Sequence, residues 1–439
     1  MSAHLDSGTQ KAPWGVVGLL AIAFCVSWLD RMVINLLIEP IKADLHLSDI
    51  QIGLLSGTFF ALFYALVGLV AGSLVDRGDR KWIICAGVLL WSLMTAAAGF
   101  ARSFLHLVVA RCGVAVGEAS LSPATFALIA DSFPRHQMGR AMSTYYLGGI
   151  LGPGLALIIG AQLFELAAGP ASQWPLLSQQ LPWQRVLILA AIPGLVLAVV
   201  LSVLVKSCPP NVVVAGTGLP TVGLFEHIRA RRFVYASLAI GIALIATFLN
   251  GVFTWGAVYC MRRFAMPIQT AGATIGTCFM IAGAAGCICG GLLRDWLVRQ
   301  GYRDASLRAM QIVVAIGFPF AVAVPFASTV PGVLLCIGGG SFGVAASNVV
   351  GPVFLQALAP ASLRGRLSAI YLAIVSIIGM GSGPVLVPVM ARLVSDDQTD
   401  LGMGIAMSGV IAFGGGLACL MACRKSYMRA FTAEQQYAL

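Results

Sequence analysis

The sequence predicts an all-α membrane protein, with twelve transmembrane helices arranged as two six-helix pseudo-repeats. Three observations carry that prediction. Of 439 residues, 59% are hydrophobic and only 10% charged, with a mean hydropathy of +0.91. Soluble domains run nearer ~45–50% apolar and ~25% charged. Apolar runs of spanning length recur along the whole chain, and twelve spans of roughly 20 residues need about 240 positions. Short motifs of the first half also return in the second at a nearly constant offset.

The runs, taken between charged or Pro/Gly-rich breaks, place spans at 14–41, 49–75, 81–101, 104–132, 138–166 and 183–205 in the first half. Those of the second half fall at 232–261, 266–294, 308–328, 331–358, 364–394 and 401–422. The first run is too long for a signal peptide and carries charges inside, so it is expected to be a retained span. Gly72-Ser73-Leu74-Val75-Asp76 after span 2 returns as Gly291-Leu292-Leu293-Arg294-Asp295 after span 8. Likewise, Gly139-Arg140 with Tyr145 returns as Gly365-Arg366 with Tyr371, and Gly148-x3-Gly152-Pro153 as Gly379-x3-Gly383-Pro384. Repeats in the same orientation imply halves related by an axis along the membrane normal. The expected division is a six-helix bundle over 1–206, a linker over 207–230, a second bundle over 231–423 and a tail over 424–439. Phe225 to Arg232 reads as a basic amphipathic turn.

Charge sets the orientation. Alternate connections and the termini hold 19 Lys and Arg, the opposite connections 6, and Arg31 and Arg111 lie inside spans. The bias places both termini in the cytoplasm of a multi-pass cell-membrane protein. The net charge of +10 is therefore topological and calls for no nucleic-acid partner. Eleven cysteines, an odd number without a CxxC pair, read as small apolar packing residues.

Asp30, Arg31, Arg111 and Glu118 are the charges near the bilayer centre. At about 2.5–3.5 kcal/mol each, four unpaired charges would cost on the order of 10–14 kcal/mol, so they must face the interior and one another. Neighbours on a helix diverge by about 100°. Arg31 is therefore expected to face the cavity as a substrate ligand while Asp30 turns toward another helix. Arg111 is either a second substrate ligand or a structural cation. His4, His46, His106, His136 and His227 all fall in loops or at span ends, which leaves Asp30 and Glu118 for proton coupling. Structural ion pairing is the alternative for all four. The spans of the second half hold no ionisable acid or base between 233 and 261, 264 and 293, 309 and 363, or 367 and 391. Weakly polar candidates on that wall are Asn250, Thr254, Trp255, Asn348 and Tyr371. An ionic wall facing an apolar one suits a ligand with a charged head and an apolar tail.

Gly72-Ser-Leu-Val-Asp76-Arg77-Gly-Asp79-Arg80-Lys81, with its partial echo at 291–295, resembles the loop motif of the major facilitator superfamily. Asp30-Arg31, Arg111 with Gly117-Glu118-Ala119-Ser120, Leu128-Ile-Ala-Asp131-Ser-Phe133 and Thr247…Gly251…Trp255 are similar to the Spinster family. Ala115 departs from the glycine usual in that family four residues after the span-4 arginine. The resemblance implies a major facilitator fold and transport of sphingolipids or lysophospholipids by alternating access. It also implies that Asp76 meets the start of span 11, where the helix dipole favours a carboxylate. Arg80, Asp131 and Asp295 join it as gating residues, and Gly152-Pro153 as a bending point or a site of close packing. A related family, the organic-anion:cation symporters, shares the Asp-Arg of span 1 and the Arg…Glu of span 4.

The leading expectation is a monomeric, proton-linked secondary transporter of an amphipathic molecule, embedded among membrane lipids. Proton symport of small organic anions and a non-transporting receptor on a transporter fold are the alternatives. No carboxylate–histidine pair, metal-ligand cluster or phosphate-cradling loop is present, so no catalysis, cofactor or metal is expected.

Overall fold

The computed structural model describes residues 14–175, 177–207, 224–359, 363–394, 401–424 and 426–428. Most of the expected linker, 208–223, and of the tail, 425 and 429–439, lies outside the described residues, as do the side chains of Asp76, Arg364 and Gly365. Among the described residues, twelve helices are long and apolar enough to cross a membrane. They run Trp14–Leu36, Asp49–Ala71, Arg80–Ala98, Phe104–Ser132, Gln137–Ala168, Pro182–Leu204, Arg232–Phe264, Ile268–Arg299, Ala305–Phe326, Val330–Gln356, Arg366–Val394 and Leu401–Ala422. The fold is all-α, with no strand among the described residues.

Span 1 ends earlier than its apolar run. The helix stops at Leu36, and a separate short helix covers Ile38–Leu45. Pro40 is the cause: it has no amide to give, and its ring clashes with the carbonyl four residues back. Restarting the helix at Ile38 puts Pro40 in a first turn, where no donor is required. His46 then closes the short helix in the left-handed region, φ 53°. Ser48 and Gln51 start span 2 with a reciprocal capping box, Gln51 N–H to Ser48 Oγ at 3.2 Å and Ser48 N–H to Gln51 Oε1 at 2.8 Å. In span 4 the same proline chemistry interrupts the helix at Ser120, between Phe104–Ala119 and Leu121–Ser132. Pro123 there cannot bond the Ala119 carbonyl. Pro153, by contrast, sits inside an unbroken helix, Arg135–Ala168. Gly152 beside it packs against the Trp28 indole, with no room for a Cβ, so close packing is the role seen there.

Spans 1 to 6 pack together, as do spans 7 to 12, and the two sets meet through spans 5 and 8, 2 and 11, and 1 and 7. With lipid outside, association depends on close approach rather than on excluding water. At the meeting of spans 5 and 8, a Cβ on Gly276 would lie 2.5 Å from the Gly154 carbonyl. At that of spans 2 and 11, a Cβ on Gly53 would lie 2.5 Å from the Pro384 carbonyl. The same stretch of span 2 is widened into a π turn at Leu54–Phe59, and span 11 at Val375–Met380. Thr58 Oγ1 donates to the Gly381 carbonyl across this crossing, at 2.9 Å.

On the basic side, Asp304 accepts from Arg308 Nε at 2.6 Å and Arg424 Nε at 2.8 Å, tying the start of span 9 to the chain beyond span 12. Burial pushes the Asp304 carboxyl up, but the two arginines outweigh it and hold the group below the ordinary carboxylate range. A depressed carboxyl stabilises the fold above its unfolded pKa, and that contribution is lost as pH falls through the folded value. Asp304→Asn is therefore expected to lower Tm at neutral pH and to make no difference once the pH has fallen below the lowered pKa of the folded carboxyl. Thermal unfolding across pH checks this; equal Tm values at neutral pH would mean that the pair adds nothing.

Candidate functional site

The four intramembrane charges come together, in two different ways. Arg31 Nη2 forms a salt bridge with Glu118 Oε2, joining spans 1 and 4. Both groups are buried, Arg31 at 8% exposure and Glu118 at 3%. Glu118 lies in the last turn before the Pro123 interruption.

Aromatic rings frame the cation. The Arg31 guanidinium lies 4.7 Å from the Trp28 ring centroid, 4.7 Å from Phe60 and 5.4 Å from Tyr64. Arg111 lies 4.8 Å from Phe60 as well, so one ring serves two guanidiniums. Such contacts are worth ~2 kcal/mol or more when desolvated. They set three ring faces around the Arg31 guanidinium. None of the three rings was singled out by charge or motif. The signal available was Phe60 and Tyr64 four residues apart on span 2, which places them on one helix face.

Arg111 gives two of its donors to the backbone of span 1. Its Nη1 donates to the Asp30 carbonyl at 3.2 Å and its Nη2 to the Arg31 carbonyl at 2.9 Å. It clamps the span-1 backbone at the residues whose side chains carry the site. Asp30 turns away from Arg31 as expected, toward Trp91 and Thr95 of span 3. Its carboxylate oxygens have no hydrogen-bond partner within normal limits. The Thr95 hydroxyl already donates to the Trp91 carbonyl at 3.1 Å.

Three of the weakly polar residues of the second half donate to helix backbone. Trp255 is fully buried, and its indole donates to the Pro384 carbonyl at 2.7 Å, joining spans 7 and 11. Thr254 donates to the Asn250 carbonyl at 3.1 Å, and Asn250 Nδ2 to the Ala246 carbonyl at 2.9 Å. Tyr371 is buried with its hydroxyl against Gly351 of span 10. Polar contact across the halves near Arg31 comes instead from Asn35, whose Nδ2 reaches the Phe253 carbonyl at 3.4 Å. Trp28 also meets Phe253 edge-on, with centroids 5.9 Å apart.

Of the gating candidates, Arg80 and Asp131 form an ion pair at 3.4 Å. It links the ends of spans 3 and 4 on the basic side, within one half. Asp295 pairs with its neighbour Arg294 at 2.7 Å on the surface. Span 3 begins at Asp79, whose side chain accepts from the Lys81 amide at 3.0 Å. A cavity of about 870 Å³ opens among spans 8, 9 and 10, lined by Thr274, Cys278, Phe320, Leu335 and Phe342. It lies on another face of span 8 from Gly272 and Gly276, which pack on span 5, and so apart from the buried charges.

The model of the major facilitator superfamily matches residues 20–384. The chain belongs to the major facilitator superfamily. It is a multi-pass membrane transporter and not an enzyme. An MFS-type efflux pump of Mycolicibacterium smegmatis is 27% identical over 421 residues, covering 93% of this chain and 91% of that protein. Protein spinster homolog 1 of Xenopus tropicalis is 29% identical over 330 residues, 72% of this chain but 60% of the relative. Drosophila melanogaster spinster is 25% identical over 67% of this chain and 48% of its own length. Among solved structures, a bacterial homologue of the human lysosomal transporter Spinster, inward-facing and unoccupied, superposes with a TM-score of 0.78. It is 23% identical and matched over 97% of this chain and 98% of that one. This major facilitator transporter thus resembles the Spinster proteins in sequence and shares the fold of their bacterial homologue.

Proposed function

We propose that this transporter moves an amphipathic, lipid-like molecule with an anionic head across the cell membrane, coupled to protons. In this reading it acts as a monomer with both termini in the cytoplasm. The halves 1–206 and 231–423 rock about the site, joined by the linker 207–230, and Asp76 latches against the start of span 11. The observation that carries the reading is Arg31, held by Glu118 and framed by Trp28, Phe60 and Tyr64, opposite spans whose stretches 233–261, 264–293, 309–363 and 367–391 hold no Asp, Glu, Lys or Arg. A guanidinium offers a forked set of donors to a phosphate or carboxylate, and the surrounding rings and aliphatic spans receive the tail.

Coupling follows from competition. An anionic head that takes Arg31 releases Glu118, and a proton on Glu118 releases Arg31, so each favours the other by linkage. Asp30 offers a second proton site, because an ionised carboxylate buried without donors carries a large desolvation cost. Resemblance to the Spinster proteins supports the lipid reading.

Each buried CH₂ contributes about 0.8 kcal/mol, nearly fourfold in affinity. Binding of lysophospholipids or sphingoid phosphates of increasing chain length to the purified protein is therefore expected to tighten with length until the tail finds no further apolar surface. Flux of the tightest binder in proteoliposomes would separate a carrier from a receptor. Small organic anions that bind as tightly as the longest lipid, with no slope against length, would overturn the lipid reading in favour of an organic-anion symporter.

A further inference from the structure

On the side of the membrane opposite the basic loops, four charges meet where the halves touch. Arg262, in the last turn of the helix Arg232–Phe264, reaches across to the short helix Ile38–Leu45 and to the start of span 2. Its Nη1 and Nη2 each lie 2.9 Å from an Asp49 oxygen, Oδ2 and Oδ1 respectively, a paired fork. Its Nε and Nη2 lie 2.9 and 2.7 Å from Glu39 Oε1. Lys42 pairs with Asp49 from within the first half. The Asp49 side chain is only 3% exposed and that of Arg262 15%, unlike the solvated surface pairs that contribute little.

We propose that Arg262 is the latch of a gate on this face, with Asp49 and Glu39 as its receiver. The charge balance makes the contact two-state. Closed, the four groups sum to zero. Open, the second half carries one uncompensated positive charge and the first half a net negative one, and both must be rehydrated. Removing either member of the Arg262–Asp49 pair leaves the other buried without its counter-charge, so the closed state depends on both.

The latch is connected to the backbone that must move. The Arg262 guanidinium lies 5.9 Å from the Trp255 ring, and Trp255 donates to the Pro384 carbonyl. That is the carbonyl against which Gly53, four residues after Asp49, packs too closely for a Cβ. Opening at Arg262 therefore frees the crossing of spans 2 and 11 directly beneath it. Lys42 touches Asp49 without bridging the halves, and so supports the receiver without locking the gate.

Hydrogen–deuterium exchange of the full chain in nanodiscs tests this without any substrate, so its outcome is independent of the lipid reading. In Arg262→Lys and Asp49→Asn, amides over 38–53 and 256–268 are expected to exchange several-fold faster. Amides at the opposite ends of spans 2 and 11 should become slower, as alternating access demands. Lys42→Met should keep the wild-type pattern. Faster exchange at the cluster without protection on the other face would mark local loosening and overturn the gate. So would a Lys42→Met profile matching that of Arg262→Lys, or profiles of Arg262→Lys and Asp49→Asn unchanged from wild type.

Discussion

Glu118→Gln is expected to abolish uptake driven by a pH gradient while sparing counterflow of substrate, and Asp30→Asn to do the same. The glutamine keeps the size and a hydrogen-bonding oxygen for Arg31 but cannot take up a proton. Proton and substrate then lose their competition for one guanidinium, and the linkage between them vanishes. The substitution also leaves Arg31 without its ionic partner. Losing one member of a buried pair costs ~3–5 kcal/mol, so Tm should fall, and added anionic substrate should restore part of it. Asp30→Asn is expected to change Tm far less, because the Asp30 oxygens accept no hydrogen bond within normal limits and have no ionic partner of the kind Glu118 has in Arg31. Measured together, transport and unfolding separate coupling from structure. Unchanged pH dependence in both variants would leave these carboxylates as structural groups.

The second large effect is a contrast between the two arginines. Arg31→Ala should weaken every member of an acyl series by a similar factor and leave the slope against chain length intact, since it removes the head contact alone. A charge-assisted hydrogen bond contributes ~1.5–3 kcal/mol, so the loss should be at least tenfold. Arg31→Lys should restore part of it, as a point charge without the fork. Arg111 gives its donors to the Asp30 and Arg31 carbonyls. Arg111→Ala is thus expected to lower Tm, with lysine a poor rescue because one ammonium replaces a fork that spans two carbonyls. Isothermal titration and thermal unfolding of the four variants check this. A head-independent loss of chain-length slope in Arg31→Ala would remove its assignment as the head ligand.

The twelve spans, the repeat and the grouping of the buried charges were legible in the sequence because each follows from local constraints. A bilayer demands apolar runs of fixed length, and a charge inside it demands company. The divergence of Asp30 and Arg31 was equally local, a matter of 100° per residue. Which partner each side chain met was decided only by tertiary structure. Arg111 was read as a substrate ligand or a structural cation, and its clamp on two carbonyls depends on how spans 1 and 4 lie together. Trp255 had the composition of a cavity residue, yet its indole was taken by Pro384 of a distant span. Phe60 and Tyr64 were two aromatics among many until span 2 brought them over Arg31. Nothing in the sequence paired Arg262 with Glu39 and Asp49, because residues more than two hundred positions apart share a site only through the docking of the halves. Hydropathy and helical period act along one segment, whereas ion pairs, ring contacts and backbone crossings depend on the relative placement of segments, which no local pattern encodes.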